Sequence, residues 1–317
     1  MWCEIYGEEN ARERFEHSAR KLLLNFFRTG IFENPYLDPE KTQEVMNSKD
    51  FRDRGYKAQL KSVVMLKNSR STLPVKERAK VYVPKRHIPN LWNIEGEITV
   101  PGKYDYPIDL DFLKDYYEFT DNPENADFAI VMIGDPVNGR GYDVEDLKNG
   151  GNGYVPMSLQ WSDYTAEHAR KVSLAGGDPY ESFTNRSYRG KTIKSENAGD
   201  IALVAKTREE MGEKPVVVIL PCQKPFVPSE FEPYADAVLI SFGVEPQAYL
   251  DIISGRYEPT GLLPIQLPAN MKTVEIQNED SPRDMECYVD ADGNAYDFAF
   301  GLNWSGVIND DRVKRYK

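Results

Sequence analysis

Residues 215–268 read PVVVILPCQKPFVPSEFEPYADAVLISFGVEPQAYLDIISGRYEPTGLLPIQLP, and this stretch decides the fold. Its two short apolar runs, at 216–220 and 237–241, are rich in β-branched residues and stop just before a proline or a Phe-Gly pair. Runs this short and this apolar are typical of strands that are buried on both faces of a parallel sheet. Helix-like pieces at 230–234 and 247–253 follow them, so the order strand, helix, strand, helix predicts an α/β layer fold.

The composition excludes several classes of partner. The chain has 317 residues, with 51 acidic against 39 basic side chains and a formal charge of −12. This charge opposes binding to nucleic acid, whose phosphates need a basic face. No run approaches the roughly 18 apolar residues of a membrane span, so we expect no membrane partner. Residues 1–17 lack the apolar core of a secretory signal, and the compartment is left open.

Apolar spacing and turn residues predict the remaining elements. We expect helices at 11–29, at about 56–66, around 110–117 and at about 199–211, and strands at 80–83 and 127–133. The first helix is too short to hold a core of its own, and it resembles the last piece of another domain. The polar and charged stretch 41–54 is predicted to be a linker.

A long interval, from Gly134 to about Lys191, contains no obvious strand and is rich in Gly, Asp, Asn and Tyr. A connection this long in a compact domain is usually functional or disordered, and its aromatic residues favour order. It follows a predicted parallel strand, so it should lie at the carboxyl edge of the sheet. Ligands bind at this edge in open α/β sheets.

Several familiar motifs are missing or incomplete. The glycines at 150, 151 and 153 do not follow a strand, and neither GK[ST] nor GxGxxG completes a phosphate loop. The three histidines form no paired ligand spacing, and the three cysteines form neither a CxxC pair nor a disulfide framework. No GxSxG elbow occurs. We therefore expect no metal and no cofactor.

The carboxylates of the long interval are the better candidates for chemistry. Asp143, Glu145 and Asp146 lie together in NGRGYDVEDLKNGGNGY. The alternative to a catalytic role is that they form a solvated surface turn. Glycosidases use carboxylates for proton transfer and pack sugars on aromatic faces, so nearby aromatic residues favour a sugar site. The candidate substrate-binding residues of the interval are Tyr142, Tyr154, Trp161 and Arg186.

Five segments together resemble one known family. They are SARKLLLNFFRTGIFENPYLD (18–38), LKSVVMLKNSRSTLPV (60–75), PYADAVLISF (233–242), SGRYEPTGLLPIQLP (254–268) and YDFAFGLNW (296–304). In this order they are similar to the carboxyl-terminal half of glycoside hydrolase family three, the β-glucosidase family. The last segment resembles the pattern "Y.FGYGLSY" that closes that half. Residues 150–192 look like an insertion specific to one branch.

The resemblance implies a fold and a division of the chain. It implies a three-layer α/β sandwich around a mostly parallel sheet of about six strands. Residues 1–40 would be a remnant of the end of the catalytic barrel, 41–54 the linker, and 55–317 the sandwich domain. The implied partner is a β-linked oligosaccharide or glucoside.

The resemblance also implies a mechanism that this sequence does not complete. Family members are retaining enzymes, with an aspartate nucleophile on the barrel and a glutamate acid/base from the second domain. Retention requires the two carboxyl groups to be about 5–5.5 Å apart. The "VMSDW"-like nucleophile segment and the "KHF" sugar motif are both absent here. We therefore expect no nucleophile in this chain, and Glu145 is the leading acid/base candidate, ahead of Asp143 and Asp146.

Three functional hypotheses remain open. The first is an incomplete β-glucosidase that needs a barrel partner and is inactive or weakly active alone. The second is a noncatalytic sugar-binding or interaction module, and the third is a glycosidase with β-xylosidase-like specificity. An apolar face should be exposed where a barrel would pack, which makes self-association an additional expectation.

Overall fold

The computed structural model describes residues 2–93, 98–139, 141–171, 186–278 and 281–315. The chain divides into two compact units, Met1–Gly55 and Tyr56–Lys317. The helices are α1 (Trp2–Tyr6), α2 (Glu8–Arg28), α3 (Pro39–Met46), α4 (Lys49–Ser62), α5 (Leu110–Leu113), α6 (Val144–Lys148), α7 (Gly199–Met211), α8 (Pro246–Ile253), α9 (Met271–Ile276) and α10 (Asp311–Lys314). The strands are β1 (Val64–Asn68), β2 (Lys80–Tyr82), β3 (Arg86–Ile88), β4 (Leu91–Trp92), β5 (Ile98–Val100), β6 (Lys103–Asp105), β7 (Glu118–Thr120), β8 (Phe128–Met132), β9 (Tyr164–Thr165), β10 (Thr192–Ile193), β11 (Val216–Pro221), β12 (Ala237–Ser241), β13 (Leu302–Asn303) and β14 (Gly306–Val307).

The amino-terminal unit consists of helices that bury little apolar surface. The predicted helix at 11–29 forms as α2, and among its described residues only Ala11 is buried. Phe27 packs on Phe32 with the ring centres 4.9 Å apart, although both side chains are more than half exposed. Most of the expected linker 41–54 is helical, in the second part of α3 and the first part of α4. Helix α3 begins where Asp38 accepts a hydrogen bond from the backbone of Lys41, with Pro39 at the first helical position.

The larger unit is an α/β sandwich around one mixed sheet of eight strands. The strand order is β14-β13-β1-β12-β11-β8-β2-β7. The five strands from β12 to β7 run parallel to their neighbours, whereas β1, β13 and β14 add an antiparallel side. The predicted α/β sandwich with a mostly parallel sheet is thus confirmed, with more strands than the six expected.

The central strands form where the sequence is apolar at every position. Val218 pairs with Val131 on one side and with Val238 on the other. Residues 216–220 and 237–241 are almost completely buried, as strands covered on both faces must be. Helix α8 follows β12 and buries Tyr249, Leu250 and Ile253 in the same core.

Two of the predicted helices are wrong in part. The helix expected at 56–66 ends at Ser62, and Val64–Asn68 form strand β1 instead. The β-branched pair Val63-Val64 favours an extended chain, and β1 is then held between β12 and β13. The helix expected around 110–117 is only the single turn α5. Tyr116 and Tyr117 lie beyond it and are buried in the core.

None of the helices described here combines the length and the apolar character that a membrane span requires.

Candidate active site

The candidate site lies where the parallel strands β2, β8, β11 and β12 end at one edge of the sheet. Because parallel strands share their direction, the chain leaves all four at the same edge. The predicted long interval begins there, directly after β8. It is tied back to the edge because Asp135 accepts hydrogen bonds from the backbone of Gln223 and Lys224, which follow β11, at 3.0 and 3.2 Å.

The three candidate carboxylates lie on the one short helix α6, but they have different roles. Asp143 is the N-cap of α6, and its carboxylate accepts a hydrogen bond from the backbone N–H of Glu145 at 2.8 Å. A capping carboxylate satisfies a helix-terminal donor that otherwise lacks a partner. Asp143 is therefore engaged in holding α6, which leaves the other two acids to be considered.

Asp146 forms an ion pair that closes the loop. Its Oδ2 accepts hydrogen bonds from Lys191 Nζ at 2.6 Å and from the backbone N–H of Gly153 at 2.8 Å. Lys191 also donates to Asn152 Oδ1 and to the carbonyl of Tyr154. The lysine hydrogen bond, followed by the Gly153 N–H, lowers the pKa of Asp146 below its ordinary value. A carboxylate held in this ionised form is poorly suited to donate a proton.

Glu145 is exposed and forms a surface ion pair. Its Oε1 lies 2.6 Å from Lys148 Nζ, and both side chains are about two-thirds exposed. An exposed pair of this kind contributes at most about 1 kcal/mol, so it opens easily. Glu145 is therefore free to exchange its lysine partner for a ligand.

Two of the predicted aromatic residues do come together beside α6. Tyr142 and Tyr154 form an isolated antiparallel bridge, and their rings meet edge to face with centres 5.5 Å apart. The guanidinium of Arg186 lies over the Tyr154 ring at 5.8 Å. Tyr142 is about half exposed, so the structure joins three of the four predicted sugar contacts into one surface.

Trp161 has a different environment from the one predicted. It is completely buried and packs against Phe226 and Phe231, and its indole N–H donates to the carbonyl of Gly134 at 2.9 Å. Its backbone N–H donates to Glu230. Trp161 is therefore a core side chain in this arrangement, and its ring presents no face to a sugar.

Close contacts explain why residues 151 and 153 are glycines. Gly153 has φ +80°, and a Cβ at this position would lie 2.5 Å from the Tyr142 ring. A Cβ at Gly151 would lie only 2.1 Å from the Asp146 carboxylate. These glycines allow the chain to turn tightly around Asp146. Residues 172–185 of the predicted insertion lie outside the described residues, and so does Arg140.

A buried ion pair at the same edge was missed by the sequence reasoning. Arg86 lies after β2, and its Nη2 donates to Asp200 Oδ2 at 2.8 Å. Both side chains are more than 90% buried. Burial raises the pKa of Asp200, whereas Arg86 and the N–H of Gly134 oppose this shift. The sequence signal for this pair is Asp200, an acidic residue in the first turn of the predicted helix 199–211. Its partner Arg86 is 114 residues away in the chain, so local sequence does not indicate the pairing.

Among the residues that the structure describes, no cluster of three His, Cys, Asp or Glu side chains could hold a metal ion.

Known proteins resemble this chain over most of its length. No family model matches it. It is 27% identical to "Probable beta-glucosidase C" of Aspergillus flavus over 299 residues, which cover 93% of this chain and 36% of the relative. The predicted resemblance to β-glucosidases is thus confirmed over most of this chain. It spans little more than a third of the length of the curated relatives that it matches.

Two further matches have the same character. A "Putative beta-xylosidase" of Formosa agariphila is 26% identical, with 96% of this chain and 38% of that protein covered. The crystal structure of a β-glucosidase from Listeria innocua in complex with isofagomine matches with a TM-score of 0.51 at 17% identity. It covers 95% of this chain and 42% of that one, and at this identity it supports the fold alone.

Proposed function

We propose that this chain is the α/β-sandwich part of a retaining β-glucosidase-type glycosidase, in which Glu145 is the general acid/base. The match to β-glucosidases over 93% of the chain is the observation that carries the proposal. The relatives are much longer than the matched part, so the nucleophile is assigned to a barrel domain that these 317 residues do not include.

The environment of Glu145 supports its assignment among the three acids. A general acid/base must reach the glycosidic oxygen, protonate it, and then accept a proton from the attacking water. Asp143 caps α6 and Asp146 is paired with Lys191, whereas Glu145 is exposed and forms an ion pair with the equally exposed Lys148. Tyr142 and Tyr154, on the same loop, offer rings on which a sugar can pack.

The amino-terminal unit supports a barrel as the partner. Helix α2 exposes Phe15, Leu22 and Phe27 by 58%, 69% and 60%, and Leu23 and Phe26 are also exposed. Apolar surface of this extent marks a contact with another protein body. The free chain is expected to self-associate through the same face, and sedimentation as a clean monomer would contradict this.

Hydrolysis of an aryl β-glucoside tests the proposal directly. The coding sequence upstream of Met1 should be read, and the chain should be assayed alone and joined to any barrel domain that is encoded there. The joined protein should hydrolyse the substrate with retention of configuration, and the chain alone should show little or no activity. Strong activity of the chain alone, or none in the joined protein, would refute the proposal.

Two alternatives each rest on one observation. The surface formed by Tyr142, Tyr154 and Arg186 would also suit a noncatalytic sugar-binding module. Calorimetric titration with glucose and cello-oligosaccharides that gives binding without turnover favours it. The match to a putative β-xylosidase favours a pentoside as the substrate, and a comparison of aryl β-xyloside with aryl β-glucoside decides between them.

A further inference from the structure

The strut, as we call residues 134–138, connects β8 to the loop that carries α6. It has no regular secondary structure, yet its backbone is hydrogen-bonded along its length. The N–H of Gly134 donates to Asp200 at 3.1 Å, and the N–H of Val137 donates to Asn197 Oδ1 at 2.8 Å. The carbonyl of Val137 accepts from the N–H of Glu196 at 2.7 Å. The path of the chain toward α6 is thus fixed by groups outside the strut.

Asn197 makes more of these contacts than any other side chain around the strut. Its Nδ2 donates to the carbonyls of Gly134 and Asp135 at 3.2 and 2.9 Å, and to Asp200 Oδ2 at 3.0 Å. Its Oδ1 accepts from Val137. One atom of the amide is near three acceptors and the other is near a donor, so the hydrogen bonds identify the first as nitrogen and the second as oxygen. Only a planar group with both a donor and an acceptor can bridge the two ends of the strut in this way.

The surroundings of Asn197 make its contacts strong and directional. Asn197, Asp200 and Asn138 are each only 3% exposed, and Arg86 is 8% exposed. Half of the buried polar and charged residues in the described chain lie around the strut, in two hydrogen-bonded groups: Arg86, Asn197 and Asp200, and Asn138, Ser158 and Ser195. Buried polar networks whose members are bonded to one another rigidify the structure and specify one conformation.

We infer that Asn197 is a positioning residue, which sets the direction of the strut and thereby places the loop bearing Glu145 over the substrate. This inference rests on the proposed function, because the loop has a reaction to serve only if the chain belongs to a glycosidase. The hydrogen bonds described for the Asn197 side chain go to the strut and to Asp200. Asn197 holds the strut through the strut's backbone atoms, so no residue of α6 needs to change for activity to fall.

Asn197→Ala is the variant that tests this role. Asp200→Asn is less suitable, since it would leave the charge of Arg86 buried without its carboxylate. Asn138→Ala serves as a second variant, because it frees only the far end of the strut from Ser158 and Ser195. The matched control is Asn122→Ala, which also removes a hydrogen bond to a backbone N–H, that of Glu124, but in the connection between β7 and β8.

Two readouts separate positioning from general loss of structure. In this chain, amide hydrogen exchange at Gly134 and Val137 should be roughly tenfold faster in Asn197→Ala, with central strand β11 unchanged. In the protein joined to its barrel, kcat on an aryl β-glucoside should fall about 10²-fold with KM nearly unchanged, since a misplaced group of this kind lowers the rate and not the binding. Asn138→Ala should do the same to a smaller extent, and Asn122→Ala should do neither.

The possible results point in different directions. Faster exchange at the strut with unchanged kcat would overturn the positioning role, and unchanged exchange would overturn the claim that Asn197 holds the strut. If Asn197→Ala fails to fold, Asn138→Ala decides by the same two measurements. A joined wild-type protein without activity would refute the proposed function, whereas the exchange result would still report whether Asn197 fixes the strut.

Discussion

Lys191 Nζ lies 2.6 Å from Asp146 Oδ2, and this ion pair joins two parts of the loop that are 45 residues apart in the chain. The lysine also donates to Asn152 and to the carbonyl of Tyr154. The ion pair therefore fixes both the helix that carries Glu145 and one of the two tyrosines beside it.

Replacing Lys191 with Met should loosen this loop without unfolding the sheet. The variant keeps the aliphatic stem but removes the charged donor, so Gly153, which donates to the same carboxylate, should exchange its amide hydrogen roughly tenfold faster. Lys148→Met, which removes an exposed ion pair, is the matched control and should have no such effect. Equal exchange rates in the two variants would show that the Lys191 pair does not order the loop.

The pH dependence of the loop follows from the lowered pKa of Asp146. A carboxyl group whose pKa is lower in the folded chain contributes stability above its ordinary value of 3.8, and this contribution is lost as the pH falls through the lower folded value. The amide shift of Gly153, followed by NMR from pH 6 downward, should therefore titrate below pH 3.8. In Lys191→Met the midpoint should rise toward the ordinary value. A midpoint that is the same with and without the lysine would contradict the assigned cause.

Glu145→Ala should slow hydrolysis by the joined enzyme, and the size of the loss should depend on the leaving group of the substrate. Loss of a general acid/base typically costs about 10²–10⁴-fold in rate, with a smaller loss for aryl glucosides whose leaving group needs no protonation. Lys148→Ala removes the partner of Glu145 in the ion pair and is the control for a merely structural effect. Equal rates for Glu145→Ala and wild type on an alkyl β-glucoside would remove Glu145 from the role.

Ala299→Gly should stabilise the fold. Ala299 has φ +64° and is 3% exposed, and it stands where the family pattern "Y.FGYGLSY" has its first glycine. A left-handed conformation costs a residue with a Cβ about 1–2 kcal/mol, part of which is offset by the greater freedom of glycine in the unfolded chain. Urea denaturation should show a gain of about 0.5–1 kcal/mol. Ala235→Gly, at a buried position with φ −102°, should instead lose stability.

The three thiols should differ sharply in reactivity. Cys3 is exposed, whereas burial raises the pKa of Cys222 to about 12 and that of Cys287 to about 11. Since the thiolate is the reactive form, Ellman's reagent at pH 8 should modify Cys3 rapidly and the other two slowly. All three should react in guanidinium chloride. Rapid modification of Cys222 and Cys287 in the native Cys3→Ser variant would contradict the burial of these two thiols.

The parts of the fold that the sequence predicted are those that short apolar runs and helix stops define locally. Strands β8, β11 and β12 and helix α7 were expected within a residue or two of their observed bounds. Strand β1 was missed because VVMLKN continues a helical pattern, and only its long-range pairing with β12 favours the extended form. Trp161 was predicted to bind substrate because its core partners, Phe226 and Phe231, are 65 and 70 residues away in the sequence.

The site was predictable to a similar degree. The loop after β8 and the choice of Tyr142 and Tyr154 as candidates followed from the position of the interval and its aromatic content, whereas the contact between the two rings did not. The division of roles among Asp143, Glu145 and Asp146 could not be read from three acids in a row. It depends on Lys191, which approaches from the far end of the same interval.

Strand β1 lies between β12 and β13, so the first strand of the sheet is paired with two that are made late in synthesis. During synthesis, both edges of β1 are unpaired until Ser241 has emerged from the ribosome. One edge is still unpaired until Asn303 has emerged. Open edges of this kind template association with other chains. A nascent chain that stalls between these two points would therefore be most prone to aggregate. A chaperone that covers residues 64–68 during this interval would prevent association through the open edge.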